Sequence, residues 1–174
     1  MYIFNPSLAK LFGLFAFLVI RTNIIQAQES SNQVRKNQMT VKWEIQNDSI
    51  FFELEAPTTG WIAIGFNESE SLSGTYLIMG RIKGGRPEVV EHYVEKPGLY
   101  KPISEYGVLN RVISVWGEES KKGTILRFSL PTFKTSKYHK ELRSKSKWCL
   151  LIAYSRDDDF QHHSAMRSSV NIIL

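Results

Sequence analysis

The sequence has a single cysteine, Cys149, among its 174 residues, so no disulfide can form within the chain. Several catalytic templates are also missing: there is no G-x-S-x-G elbow, no G-x-x-x-x-G-K loop, no G-x-G-x-x-G and no H-E-x-x-H. After residue 20, no apolar run approaches the roughly 20 residues that a membrane-spanning helix needs. These absences argue against a disulfide scaffold, against an enzyme of a common class and against a membrane-spanning mature chain.

Charge of one sign is only mildly in excess. The formal net charge is +5, and setting aside Lys10 and Arg21 near the N-terminus leaves +3. This excess is too weak and too scattered to indicate a nucleic-acid partner. One stretch, residues 132–147, is basic; we interpret it as a solvated loop, with a short helix around Tyr138 to Leu142, or alternatively as a contact surface for an acidic partner or phosphate groups.

The N-terminus has the pattern of a secretory signal. Lys10 precedes an apolar core, Leu11 to Ile20, which is too short to span a bilayer. A plausible cleavage site follows at Ala27, so residues 1–27 are predicted to be removed. The mature protein is then expected outside the cytoplasm, either secreted or periplasmic.

The stretch TGWIAIGFN, Thr59 to Asn67, predicts a strand buried on both faces. Trp61, Ala63 and Gly65 alternate with three apolar side chains that point the other way, so neither face expects water. Cys149 lies in a similar apolar run, WCLLIAY, which predicts a buried and unreactive thiol.

Further strand patterns follow one another with turn residues between them from residue 39 to the C-terminus. No alternation of strands with helices is visible, which argues against a doubly wound nucleotide-binding fold. We therefore predict an all-β, Ig-like antiparallel β-sandwich of about nine to eleven strands over residues 39–174. The polar residues 28–38 are predicted to be a disordered N-terminus.

The last polar loop carries the residues most suited to chemistry. His162 and His163 precede the closing strand, and Arg167 lies four residues after His163. An imidazole at the edge of a sandwich can bind a metal or haem iron, and a guanidinium can pair with a haem propionate. The alternative is a surface loop with two solvated histidines.

The order of these motifs resembles the DOMON domain, a secreted β-sandwich of the dopamine β-monooxygenase N-terminal type. The resemblance rests on TGWIAIGFN (59–67), SLSGTYLIMGRI (71–82), AYS (153–155) and HHSAMRSSVNIIL (162–174). It covers roughly residues 39–174. It implies a ligand-binding sandwich, since members of the family bind haem b or sugars and several transfer electrons to redox partners.

The resemblance also implies a ligand set for haem iron. Haem-binding members use a C-terminal histidine, which corresponds to His163, and a methionine, whose position is occupied here by Leu72. Leucine cannot ligate iron. Met79 is the nearest sulfur, His162 or His92 could substitute, and a five-coordinate haem with His163 alone is a further alternative.

Two functions follow from these observations. The first is a domain that binds haem b through His163, with Arg167 as a propionate partner, and passes electrons to a separate redox protein. The second is a module without haem that recognises a carbohydrate or a protein of the cell envelope. In neither case do we expect an enzyme, because the sequence offers no nucleophile–base arrangement.

Overall fold

The computed structural model describes residues 32–174, and the predicted signal segment 1–27 lies outside them. Eleven strands occur in this range: β1 (Gln33–Lys36), β2 (Met39–Gln46), β3 (Ser49–Ala56), β4 (Ile62–Asn67), β5 (Tyr76–Lys83), β6 (Arg86–Lys96), β7 (Leu99–Pro102), β8 (Ile113–Ser120), β9 (Gly123–Pro131), β10 (Lys147–Tyr154) and β11 (Met166–Ile173). The helical content of the described residues is one 3₁₀ turn, Ile103–Tyr106. No helix within residues 32–174 is long and apolar enough to cross a membrane.

The strands form two antiparallel sheets. The five-stranded sheet has the order β1-β2-β3-β9-β8, and the six-stranded sheet has the order β11-β10-β4-β5-β6-β7. The predicted all-β antiparallel sandwich is therefore confirmed, and eleven strands fall within the predicted number. Strand β4 is central in its sheet, between β10 and β5, and all six of its residues are buried, as the apolar sequence on both faces predicted.

The main core lies between the inner faces of the two sheets. From the six-stranded sheet, Ile62, Ile64 and Phe66 of β4 point inward, and from the five-stranded sheet Phe52 and Phe128 meet them. The rings of Phe52 and Phe66 lie 5.9 Å apart, and those of Phe52 and Phe128 5.5 Å apart. Burying apolar side chains at alternate positions of β2, β3, β5 and β9, and along β4 and β10, supplies the main driving force for the fold.

Two local predictions were wrong. Part of the segment predicted as disordered, residues 28–38, forms β1, because Val34 packs on the core and the backbone pairs with β2. No helix forms at Tyr138 to Leu142, since His139 and Leu142 are both drawn into the protein from an irregular backbone. The segment from Glu95 to Tyr106 contains β7 and the 3₁₀ turn.

Candidate ligand-binding site

The outer face of the six-stranded sheet carries a second, smaller apolar cluster. Because side chains alternate along a strand, the residues between the inward-pointing ones of β4, β5 and β10 face outward. The cluster contains Trp61, Ala63, Met79 and Phe160, all buried, with Leu77 and Ala153 packed against them. An outer sheet face that is apolar and covered, rather than polar and wet, marks a place where loops close over the sheet.

The outer face of the sheet is hollow at its centre because the residues there are small. Pairing between strands places Val90, Met79, Ala63, Ala153 and Arg167 in one row across the sheet. Beside it runs a second row, formed by His92, Leu77, Gly65, Leu151 and Ser169. The alanines and the glycine lie at the centre and the larger side chains lie around them, so the sheet leaves a hollow.

Loops complete the hollow as a cavity of about 140 Å³. Leu72 and Thr75 come from the β4–β5 loop, Gly98 and Tyr100 from the β6–β7 hairpin, and His162, His163 and Ser164 from the β10–β11 loop. The volume is close to that of an engineered cavity of about 150 Å³ that binds benzene. It is below the range of about 300–1,000 Å³ that is usual for pockets of larger ligands.

One aromatic side chain, Phe160, anchors the middle of the β10–β11 loop, residues 155–165, to the sheet. Phe160 is 9% exposed although most of its neighbours in the loop are exposed. Its ring packs edge-on against His92, with centroids 5.5 Å apart, and the Arg81 guanidinium lies 4.1 Å from its centroid. The Tyr100 hydroxyl donates a hydrogen bond to the Phe160 carbonyl oxygen. This anchor sets where the loop carries its two histidines.

A second set of contacts fixes the start of the same loop. Trp61 and Asp157 are joined by a backbone hydrogen bond of 3.0 Å, and the Ser155 hydroxyl donates to the carbonyl oxygen of His163 over 3.1 Å. Gly60 permits this approach, because a Cβ at that position would come within 2.5 Å of the Asp157 backbone nitrogen. The glycine in the TGW motif is thus required by the loop that packs on it.

His163 and Arg167 stand at the mouth of the cavity. Both are exposed, and within residues 32–174 neither the imidazole nor the guanidinium has a hydrogen-bond or ion-pair partner. His162 also lines the cavity, but its Nδ1 lies 3.9 Å from a carboxylate oxygen of Asp157. A free imidazole and a free guanidinium beside an apolar hollow suit a ligand with an apolar body and an acidic or metal-bearing end.

Met79 lies at the bottom of the cavity rather than in the main core. Its side chain is 1% exposed and belongs to the outer-face cluster, together with Trp61. Leu72 is on the rim and half-buried. The indole Nε1 of Trp61 is buried and has no hydrogen-bond partner among the described residues. A ligand acceptor inside the cavity would satisfy that donor.

His92 stands behind the cavity wall, packed between Tyr100 and Phe160. Burial lowers the pKa of His92 to about 4, so the ring is neutral at physiological pH. Its Nδ1 lies 3.0 Å from the carbonyl oxygen of Val90. The sequence suggested His92 as a substitute ligand. It gave no sign that Tyr100 lines the cavity or that Phe160 anchors the loop. A lone aromatic in the polar stretch RDDDFQHH was the one available hint.

The residues around the cavity fit haem in chemistry and fall short in volume. They offer an imidazole (His163), a thioether (Met79) and a guanidinium (Arg167), which are the groups that hold haem iron and propionates. At about 140 Å³, the hollow is too small for a porphyrin ring unless the rim loops stand further apart. In the part of the chain that the structure covers, no three His, Cys, Asp or Glu side chains gather as a metal site.

Comparison with solved structures supports the fold. The chain superposes on the cytochrome b domain of pyranose dehydrogenase from Coprinopsis cinerea with a TM-score of 0.56, covering 82% of this chain and 81% of that one. It superposes on the cytochrome domain of Myriococcum thermophilum cellobiose dehydrogenase with a TM-score of 0.59, covering 82% and 80%. Sequence identity is 9% in both cases, so the likeness concerns the fold alone.

Sequence comparison finds two curated relatives of much greater length. The chain is 27% identical over 88 residues to MOXD1 homolog 2 of Drosophila melanogaster, which is 51% of this chain and 11% of the relative. It is 27% identical over 122 residues to DBH-like monooxygenase protein 2 of Mus musculus, covering 68% of this chain and 19% of the relative. The model of the DOMON domain family matches residues 35–155, more than half of the sequence. As its motifs indicated, the chain belongs to the DOMON domain family.

Proposed function

We propose that this protein is a non-catalytic DOMON module, exported from the cytoplasm, that binds haem b in the cavity on the outer face of its six-stranded sheet. The observation that carries the proposal is an apolar hollow with an unpartnered imidazole and an unpartnered guanidinium at its mouth. The two structural neighbours are cytochrome domains, which supports haem as the ligand class. The sequence pattern of residues 1–27 supports export.

Each residue of the site has a separate role in this proposal. His163 offers a ring nitrogen to the iron, Arg167 pairs with a propionate, and Trp61, Leu77 and Leu151 form apolar walls. Met79 is the thioether available as a second ligand, since Leu72 has no donor atom. Bound haem would supply one-electron transfer.

Entry of the macrocycle requires the rim to open. The three rim loops carry Leu72, Gly98 and His163, and they join strands without pairing to one another in a sheet. The β10–β11 loop is held by the Phe160 anchor and by the backbone hydrogen bond between Trp61 and Asp157, so opening the rim there would weaken these contacts. Because the His163 ring is exposed at the rim, it can reorient toward a ligand as the rim opens.

Haem titration of the purified protein tests the proposal. We expect an intense Soret band at one haem per chain, and we expect His163→Ala to weaken binding by at least about tenfold and to shift the band. The neighbouring variant His162→Ala is the matched control, because it removes an imidazole from the same loop. If the protein stays colourless with excess haem, or if both variants behave alike, His163 does not hold iron.

A smaller ligand is the second candidate, and the cavity volume itself favours it. A hollow of about 140 Å³ accepts a single ring, and the unpartnered Nε1–H of Trp61 can donate to a hydroxyl of a sugar. A glycan array read against wild type and Trp61→Phe tests this function. The variant keeps an aromatic wall and loses the donor, so retained glycan binding by Trp61→Phe would contradict the assignment.

A further inference from the structure

The net positive charge of the described residues comes from one segment. Residues 133–147 contain six basic residues (Lys134, Lys137, Lys140, Arg143, Lys145 and Lys147) and one acid, Glu141. In the rest of the described range, residues 32–132 and 148–174, fourteen basic residues face fifteen acidic ones. The domain is therefore close to neutral except for a segment of net charge +5, which we call the basic segment.

The lysines of the basic segment are free. Only Arg143 has an ion-pair partner in the segment, with its Nε 2.6 Å from a carboxylate oxygen of Glu141. None of the five lysines lies within ion-pair distance of a carboxylate in the described part of the chain. Four of them are exposed, and Lys140 is half-buried, with its ammonium 5.9 Å from the Trp148 ring. Five uncompensated ammonium groups produce a positive field that extends into solvent.

The basic segment is held in place although it has no regular secondary structure before Lys147, where β10 begins. His139 and Leu142 are nearly fully buried, and the Leu142 amide donates to the Thr132 carbonyl oxygen over 2.7 Å. The Tyr138 ring stacks on Tyr106 with centroids 4.4 Å apart. The backbone at Lys145 is tied to the C-terminal Leu174 over 2.5 Å. A solvated loop would not need attachment at four places along its length.

The deepest attachment is a buried polar cluster. Glu91 on β6 is fully buried, accepts hydrogen bonds from the Tyr76 hydroxyl and the Arg111 backbone amide, and has the His139 Nε2 3.6 Å from its carboxylate. Ser136 supports the other side of the imidazole, with its hydroxyl 2.9 Å from Nδ1. The buried carboxylate has the Arg111 guanidinium as its counter-charge, with Nε 3.5 Å away, and the His139 ring packs edge-on against Tyr76 with centroids 5.6 Å apart. These contacts hold His139, and with it the basic segment, in a fixed position.

We propose that the basic segment is a docking surface for an acidic protein. Its cations are five lysines and one arginine, and the ammonium of lysine acts as a point charge that steers an acidic surface and does not grip a single phosphate as a guanidinium does. The fixed backbone preorganises the ammonium groups, so less entropy is lost when carboxylates bind to them. The exposed apolar area of the segment is small, with Phe133 42% exposed.

Charge reversal on and off the surface tests this inference, which is independent of the bound ligand. The triple variant Lys134→Glu, Lys137→Glu, Lys145→Glu is compared with Lys83→Glu, Lys121→Glu, Lys122→Glu, three exposed lysines elsewhere that give the same change in net charge. The probe is a short poly-L-glutamate chain at low ionic strength, measured by titration calorimetry. We expect the first variant to lose affinity by about tenfold and the control to stay within about twofold.

Three results would overturn the inference. Equal losses in both variants would show that only net charge matters. No measurable binding of the wild type to poly-L-glutamate at low ionic strength would remove the docking surface altogether. Binding to vesicles of phosphatidylcholine and phosphatidylglycerol, two to one, that depends on the basic segment while poly-L-glutamate is not bound would assign the surface to a membrane instead.

Discussion

At the scale of single residues, the four histidines of the chain divide into two kinds. His162 and His163 are exposed at the cavity mouth, whereas His92 and His139 are nearly fully buried. Burial lowers the pKa of both buried rings to about 4, and the nearby Arg111 adds to the effect at His139. The two buried histidines are therefore structural and neutral, and they make the fold sensitive to acid.

We predict that the free energy of unfolding falls as the pH is lowered from about 6.5 to about 4. In this window the unfolded chain protonates both histidines while the folded chain does not, so the stability present above pH 6.5 is lost on acidification. The loss is at most about 3 kcal/mol per histidine. Around His139 the charged or titratable neighbours are Glu91, Arg111 and Tyr76; around His92 they are Arg81 and Glu88.

Urea unfolding at several pH values measures this dependence. The double variant His92→Gln, His139→Gln is expected to be less stable at neutral pH and to show a flatter profile between pH 6.5 and 4. An unchanged slope in the double variant would assign the acid sensitivity to carboxylates instead.

At the scale of elements, the β10–β11 loop is the segment that brings His162 and His163 from the sheet to the cavity. It leaves β10 after Tyr154, is held by Phe160, and returns to β11 at Met166 with His162 and His163 on the rim. The anchor uses side chains from three other strands: Arg81 on β5, His92 on β6 and Tyr100 on β7. The position of His162 and His163 thus depends on β5, β6 and β7 as well as on β10 and β11, which flank their loop.

We predict that Phe160→Ala loosens this loop without unfolding the sandwich. The substitution removes a nearly buried ring and leaves a hollow, which costs about 3–5 kcal/mol if the sheet does not collapse into it. Hydrogen exchange should accelerate at the His162 amide, which donates to the Asp159 carbonyl oxygen, and remain slow in β4. Phe133→Ala, at a ring 42% exposed, is the control and should change neither. Equal exchange in the two variants would mean that Phe160 is not the anchor.

At the scale of the whole molecule, the main core lies between the two sheets, and Cys149 lies outside it. The single cysteine is in β10 between β4 and β11, on the outer face of the six-stranded sheet, and is 3% exposed. Burial raises the pKa of its thiol, which lowers its reactivity further. Reaching the sulfur requires movement of the residues that cover this outer face and leaves the main core closed.

We predict that a thiol reagent labels Cys149 slowly in native buffer and through local opening of the outer face. The rate should lie below that of the unfolded chain, because the thiol is nearly fully buried, and it should depend less steeply on urea than global unfolding does. Reductant should leave the free energy of unfolding unchanged, because one cysteine forms no disulfide within the chain. The check is labelling kinetics across a urea series. A urea dependence as steep as that of global unfolding would contradict local opening.

The strand pattern was readable from the sequence because it is a local property. Alternation of apolar and polar residues has a period of two, and any segment such as TGWIAIGFN shows it without reference to the rest of the chain. The same holds for the turn residues between strands. The sandwich, the burial of β4 on both faces and the buried thiol of Cys149 followed from such patterns. The pairing of β1 escaped notice, because a polar four-residue strand becomes a strand only when β2 is beside it.

The sequence by itself determined the sheet class, the family and the loop that carries His163, with Arg167 in the strand that follows it. Only the tertiary structure decided that Met79 and Arg167 share one row across the sheet, that a ring at Phe160 fastens the histidine loop, and that the buried His139 ring, packed on Tyr76, holds the basic segment. Each of these contacts joins residues from different strands or loops of the chain. Their geometry depends on strand order and register, which are set by the packing of the two sheets rather than by any local run of residues.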